Sequence, residues 1–331
     1  MLGKYLKKTA TSTLSLFIIL ILLFSFQELF GQEKEYPEKV IKLIVGTQPG
    51  GTSDLGTRAW SDDFAKRLRV PVVIYNEPGG GGIAAVVDLS KAKPDGYILA
   101  SVTHSPMVLA PGISSNIPYD STKDVIPIGT FGVSPLLVVV NSTSPFKTIE
   151  ELLDYAKKNP GKLNCGSAGT ATFGHVTLEL VKFYGKVNMV HVPFKASTPG
   201  VTALLGNHVD SLFMGLPPVQ GQLKAGRFRG LATTHKIKEF PEIPLFSEKG
   251  LAEAEMANWL GVFAPAKIPK KVHKKLVETF EEVMKDRDVN QRLEKAGFIP
   301  FSIGPDEITK RIKEDLRKLS EVNKVAGIRA E

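Results

Sequence analysis

The chain has 331 residues, 43% of them hydrophobic and 23% charged, which allows one large domain or two ordinary ones and excludes a chain too polar to build a core. Its formal charge is +8; residues 1–31 hold three lysines and Glu28, so without them 39 basic residues face 33 acidic ones, a net +6. That excess is modest, dispersed and free of aromatic interleaving, so no nucleic-acid partner is expected, and the single cysteine, Cys165, excludes an internal disulfide.

At the start of the chain, Lys4, Lys7 and Lys8 precede the apolar run LSLFIILILLFSF at 14–26, and Gly31 offers a small residue for cleavage. A basic stretch, an apolar stretch of about 7–15 residues and a small residue read as an export signal, here residues 1–31. The run is short for a membrane span, which needs about 20 residues. An uncleaved anchor is the alternative. No cysteine near the end of the run offers a site for a lipid.

From Gln32 onward strand and helix patterns alternate. Strand-like runs fall at 40–45, 71–76, 97–102, 136–141, 188–193, 209–214, 229–234 and 260–265, most of them continuously apolar, as for strands buried on both faces. Between them, Trp60, Phe64 and Leu68 recur every four residues and predict one helix over 54–68. Thr148 and Glu151 form a capping box ahead of Ile149, Leu152 and Leu153. The last helix starts near 304–307 and carries Ile308, Ile312, Leu316 and Leu319 on one face. The pattern is that of an α/β chain with parallel sheets. Two apolar runs among dense loop residues, 131–140 and 257–266, fit crossings between two lobes. The domains expected are 1–31 as signal peptide, 33–135 plus 255–331 as a discontinuous first lobe, and 136–254 as the second.

Three glycine-rich stretches join a strand to a helix: GTQPGGTSD at 46–54, NEPGGGGIAA at 76–85 and GSAGTATFGH at 166–175. Each should lie at the carboxyl end of a strand, where open α/β sheets bind ligands, and should expose N–H groups at a helix start. None is a GxGxxG fingerprint, and none carries the lysine of a P-loop. The absence of Arg and Lys from these loops favours a carboxylate over a phosphate.

An ordered set of segments carries a resemblance. It comprises YPEKVIKLIV at 36–45, PGGTSD at 49–54, PVVIYNEPGGGG at 71–82, PDGY at 94–97, GSAG at 166–169 with His175, VHVPFK at 190–195, LLGNHVD at 204–210, AGRFRGLATT at 225–234 and NWLGVFAPAKIP at 258–269. In these the chain resembles the substrate-binding proteins of tripartite tricarboxylate transporters, the Bug family of periplasmic receptors, over essentially all of its length after the signal. The resemblance implies a two-lobed, periplasmic-binding-protein-like α/β fold (a Venus flytrap) with two connecting crossings and a ligand cleft between the lobes. It also implies capture of a small carboxylate through backbone N–H groups, hydroxyls and water, delivery to membrane transporter subunits, and a periplasmic or extracytoplasmic location. A monomer without cofactor or metal is expected.

The candidate ligand residues are Gly50, Gly51, Thr52, Ser53 and Asp54 from the first lobe, with Ser105 after the strand at 97–102 as a weaker one; Gly50, Gly51 and Thr52 also read as a plain tight turn. Asp54 reads as a helix-end cap or as a partner for a donor on the ligand. Gly169, Thr170, Ala171 and Thr172 match the family's second-lobe loop, although the family often has glycine where this chain has Ala171. His175 sits one turn into the next helix, with structure and ligand contact both open. Lys195 reads equally as a residue of the cleft rim and as solvated surface, the family usually has tyrosine at the preceding Phe194, and Asp210 reads more as structure than as ligand contact. Against transport stand two alternatives. A ligand-sensing input to a membrane sensor kinase would use the same fold. A hydrolytic enzyme would use Cys165 with His175 or His191, but Cys165 lies in a strand-like stretch, 163–167, where a small buried hydrophobe is the usual role.

Overall fold

The computed structural model of the chain describes residues 36–114 and 116–328, so the signal reading of 1–31 lies outside the described residues. Every element named below belongs to the unit Lys39–Glu331. The strands are β1 (Ile41–Val45), β2 (Val72–Asn76), β3 (Ile98–Thr103), β4 (Val125–Val133), β5 (Leu136–Asn141), β6 (Asn164–Ser167), β7 (Val190–Pro193), β8 (Ser211–Gly215), β9 (Phe228–Thr233), β10 (Trp259–Pro265) and β11 (Ile299–Pro300). The helices are α1 (Thr52–Arg58), α2 (Ser61–Leu68), α3 (Ile83–Lys91), α4 (Ala110–Ile113), α5 (Ile149–Lys158), α6 (Phe173–Gly185), α7 (Ser197–Leu205), α8 (Leu216–Lys224), α9 (Lys270–Met284), α10 (Arg287–Lys295) and α11 (Pro305–Ala326). Among the described residues no helix is long and apolar enough to cross a membrane.

Two sheets result, ordered β11-β4-β10-β3-β1-β2 and β7-β6-β8-β5-β9. The βα units pair in parallel: β1 with β2 and β3, and β6 with β7 and β8. The expectation of parallel sheets is corrected for the remaining strands. β10 runs antiparallel to β3 and β4, and β5 runs antiparallel to β8 and β9. Each sheet thus admits a strand delivered from the other, and a continuously apolar strand does not encode its direction.

The chain passes from the first sheet to the second through only Ser134 and Pro135, between β4 and β5, and returns along residues 234–258 into β10. The two crossings are laced together. Ser134 N–H donates to the Asn258 carbonyl (3.0 Å), Thr234 N–H donates to the Leu136 carbonyl (3.0 Å), and Leu136 N–H donates to Thr234 Oγ1 (3.0 Å). Paired crossings joined by hydrogen bonds are what a hinge needs.

The helix expected at 54–68 is two helices, broken at Ala59 and Trp60. The apolar stripe survives the break because tertiary packing holds it. Trp60 is fully buried against Phe64, Phe131 and Phe280, with ring centroids 5.0–5.8 Å apart, geometries worth about 0.5–1.5 kcal/mol per pair beyond burial. α1 approaches β4 at Gly56, where a Cβ would come within 2.7 Å of the Phe131 ring. That close contact fixes where α1 begins, and with it the loop in front of it.

Candidate functional site

The carboxyl ends of β1, β2, β3, β6, β7 and β8 face one another across a cavity of ≈ 80 Å³. At about 10–15 Å³ per water position, that is room for roughly five to eight waters or a small organic molecule. Loops 46–52, 78–81 and 103–105 line it from the first sheet. Ala168 and residues 172–174, 195–198 and 213–215 line it from the second, and Leu136 and Asn258 come from the crossings. The two sides touch. Phe173 N–H donates to Ser105 Oγ across the cleft (3.1 Å), and a Cβ at Gly81 would come within 3.0 Å of Thr172 Cγ2. The cleft is closed around the cavity.

Three helices point their first turns into this space. α1 starts after Gly51, α6 after Thr172 and α7 after Ala196. Within a first turn the N–H groups lack intrahelical acceptors. Among the described residues, the amides of Thr52, Ser53, Gly174, Ser197 and Thr198 have no hydrogen-bond acceptor. The dipole at each start favours an anion by about 0.3–1 kcal/mol. α6 can press its start onto β8 because residue 174 is glycine; a Cβ there would collide with the Phe213 carbonyl.

Of the sequence candidates, Gly51, Thr52, Ser105, Thr172 and Lys195 line the cavity. The roles inside the loops differ from those expected. Gly51 was expected to donate its N–H to a ligand, but that N–H is committed to the Gln48 carbonyl (2.9 Å) and that of Gly50 to Asp54 Oδ2 (3.0 Å); the unpaired amides are one and two residues later. Gly169 N–H bonds Ser167 Oγ and Ala171 N–H bonds His175 Nδ1. Thr170 and His175 line a separate pocket outside the cavity. Thr172 Oγ1 accepts the His175 N–H as the cap of α6 and donates its own proton to the Gly169 carbonyl (2.6 Å). Asp210 stands at the amino end of β8, where its carboxylate accepts from Asn164 N–H (2.7 Å). The cavity is at the other end of that strand, roughly 16 Å away at ~3.3 Å per residue.

Asp54 does not cap the helix as expected: α1 has no side-chain cap, and the Asp54 carboxylate, in its first turn, ties down the preceding loop instead. It is 2% exposed and accepts from Gly50 N–H, Asn76 Nδ2 and Arg58 Nε at 2.9–3.0 Å. Burial pushes its carboxyl up, but the hydrogen bonds from Arg58, Asn76 and Gly50 outweigh that and hold it below the usual carboxylate value. Its charge is therefore answered within the loop and leaves the cavity without an anion of its own. Lys195 is the charged member of the lining, and among the described residues it makes no ion pair.

Ser197, Thr198 and Asn258 were missed. No glycine run marks the β7–α7 loop; the available signal was Ser-Thr ahead of Pro199, a helix-start pattern. Asn258 is buried, and its Oδ1 has no partner among the described residues. Cys165 is fully buried in β6 beside Met189, and burial pushes its thiol up to about 12, so the thiolate needed for nucleophilic chemistry does not form near neutral pH.

The chain is similar to known proteins over most of its length. The family model described as tripartite tricarboxylate transporter family receptor matches residues 57–328. A UPF0065 protein of Cupriavidus necator is 30% identical over 90% of this chain and 90% of its own length. The solved periplasmic binding protein BugD superposes with a TM-score of 0.84 at 26% identity, covering 89% of this chain and all of that one. An R. palustris protein solved with adipate gives a TM-score of 0.85 at 26% identity, over 89% of this chain and 99% of that one.

Proposed function

This chain belongs to the tripartite tricarboxylate transporter family of receptors, and from that premise we propose that it captures a small carboxylate in the cavity between its two sheets and delivers it to membrane transporter subunits of that type. The observation that carries the reading is the lining itself. Unpaired amides from three helix starts converge from both sheets on a nearly uncharged cavity. Such a site takes a carboxylate rather than a cation. Charge-assisted hydrogen bonds contribute about 1.5–3 kcal/mol each, so three or four supply the gross energy of micromolar binding, about −8 kcal/mol. The neighbour solved with adipate supports the same class of ligand.

In this reading Thr52 and Ser53 offer amides from the first side, and Gly174, Ser197 and Thr198 offer them from the second. Gly51 permits close approach, and Thr172 holds the start of α6. Lys195 sits at the rim. Lobes 33–135 plus 255–331 and 136–254 close about the paired crossings, and the protein works outside the cytoplasm after export. A thermal-shift screen of mono-, di- and tricarboxylates, amino acids and aromatic acids tests the reading. One carboxylate should stabilise the protein by about 2.7 kcal/mol at a hundredfold excess over Kd. A screen in which only cationic or neutral compounds stabilise would reject it. Uptake of the labelled acid should fail when either this protein or the membrane subunits are deleted; uptake that persists without the protein rejects the delivery step.

A further inference from the structure

Two histidines lie face to face outside the cavity. The rings of His175, in the first turn of α6, and His191, on β7, stack with centroids 4.1 Å apart and planes 14° from parallel. His175 Nδ1 accepts the N–H of Ala171 at 3.2 Å. Because that group is a donor, Nδ1 must hold a lone pair, and the neutral ring carries its proton on Nε2, 3.9 Å from Glu179 Oε1. His191 Nε2 bonds Ser167 Oγ at 2.7 Å, and Ser167 Oγ in turn accepts from Gly169 N–H at 3.2 Å. Both rings therefore grip the loop that leads into α6. The grip falls where the backbone needs it. Ala171 has φ +59°, the left-handed region that L residues other than Asn and Asp avoid.

We propose that the stacked His175–His191 pair is the positioning element of the ligand site: neutral, it holds Ala171 in the left-handed conformation and fixes the loop that aims α6 at the ligand; protonated, it lets the loop and the ligand go. The proposal rests on the carboxylate-binding function proposed above and adds its regulation. A protonated Nδ1 turns the contact with Ala171 into donor facing donor. Two imidazolium rings at stacking distance repel. The charged groups facing the pair are Glu179 and Lys182, both on α6 and paired with each other at 2.8 Å, while Thr170, Pro193 and Gly327 complete the walls without charge. Burial, then Lys182, pushes His175 down to about 4; burial, then His175, pushes His191 down to about 4. With folded values below the ordinary 6.5, the unfolded or released state binds protons first. Order in the loop is thus complete above about pH 6.5 and is lost as pH falls from there through about 4.

The test combines rescue, strain relief and pH. His175→Leu removes the acceptor and should weaken carboxylate binding at least about tenfold at pH 7, while His175→Asn, whose Oδ1 replaces Nδ1 and cannot be protonated, should restore it to within about threefold. Ala171→Gly, at home in the left-handed region, should recover most of the loss in His175→Leu. At pH 4, where the rings take up protons, at most about half of the parent is competent, so the parent should lose at least about twofold more affinity than the His175→Asn/His191→Gln double variant. The ligand's own protonation moves both proteins together and cancels. Nitrogen NMR of the parent should show Nδ1 of His175 unprotonated at pH 7, a readout that needs no ligand. A protonated Nδ1, a His175→Asn variant as weak as His175→Leu, or identical pH profiles for parent and double variant would each overturn the proposal. If no carboxylate binds the parent, the function reading fails, and the tautomer and the exchange protection of the Ala171 amide still decide this one.

Discussion

Gly51→Val perturbs the first-sheet loop at its tightest point. Gly51 has an ordinary negative φ, so backbone strain is not the issue. A Cβ there would lie 2.8 Å from Thr47 Cβ, 2.9 Å from Thr47 Oγ1 and 3.0 Å from the Gln48 carbonyl. Carbon atoms pack at about 3.5–4.0 Å, so Thr47 must retreat by roughly 1 Å. Thr47 lines the cavity, and its Oγ1 accepts the N–H of Asp54 at 3.2 Å. Forced overpacking costs about 1–3 kcal/mol, and the lost hydrogen bond about 0.5–1.5 kcal/mol more. A domain stable by about 5–15 kcal/mol stays folded under that load. The cavity loses its shape, and affinity should fall beyond tenfold, which is about 1.4 kcal/mol. The adjacent Gly50→Ala is the control. Nothing lies within 4 Å of its Cβ, and its cost is the left-handed backbone at φ +78°, about 1–2 kcal/mol of stability with a smaller effect on binding. Calorimetric titration with the best carboxylate from the screen, alongside thermal melts, measures both. A Gly51→Val protein that melts like the parent and binds within twofold of it refutes the reasoning.

Asp54→Asn should lower stability by about 1–3 kcal/mol, because it leaves a buried loop cap with fewer charge-assisted bonds; the deficit, read from denaturant melts, should vanish as pH falls below the ordinary carboxylate value of 3.8 and the parent's own Asp54, held lower in the fold, takes up its proton. Cys165 should resist a thiol reagent in the native protein at pH 8 and react at once in denaturant; rapid native labelling would contradict its burial. Lys195→Ala should cost least of the cavity variants, about threefold or less in affinity, since its exposed side chain is well hydrated; a loss beyond thirtyfold would move Lys195 from the rim to direct ligand contact. Small-angle scattering should show a more compact particle with saturating ligand than without, from rotation about residues 134–135 and 257–258; identical profiles would mean a cleft closed in both states.

The amino-acid sequence by itself determined the alternation of strand and helix, the two crossings and the glycine-rich junctions, because hydrophobic period, capping residues and glycine act over a few neighbouring residues. Thr148 capping α5 at Glu151 is of that kind, as is the apolar stripe of α11. It also determined the family, because an ordered set of short motifs is a property of the chain. Tertiary structure decided the rest. Whether β10 runs parallel or antiparallel depends on which sheet receives it, and its composition is the same either way. Which amide of this loop is unpaired depends on the Asp54 carboxylate, which takes Gly50 N–H from four residues away, and on the Gln48 carbonyl, which curls back to take Gly51 N–H. His175 follows a candidate ligand loop, and its place in the sequence left structure and ligand contact both open. It faces away because β7 brings His191 to stack on it, a pairing of residues 16 apart that no local pattern could announce. The cavity is likewise a tertiary object: its amides come from three helices in two sheets, and only the laced crossings at Ser134 and Asn258 bring those helix starts together.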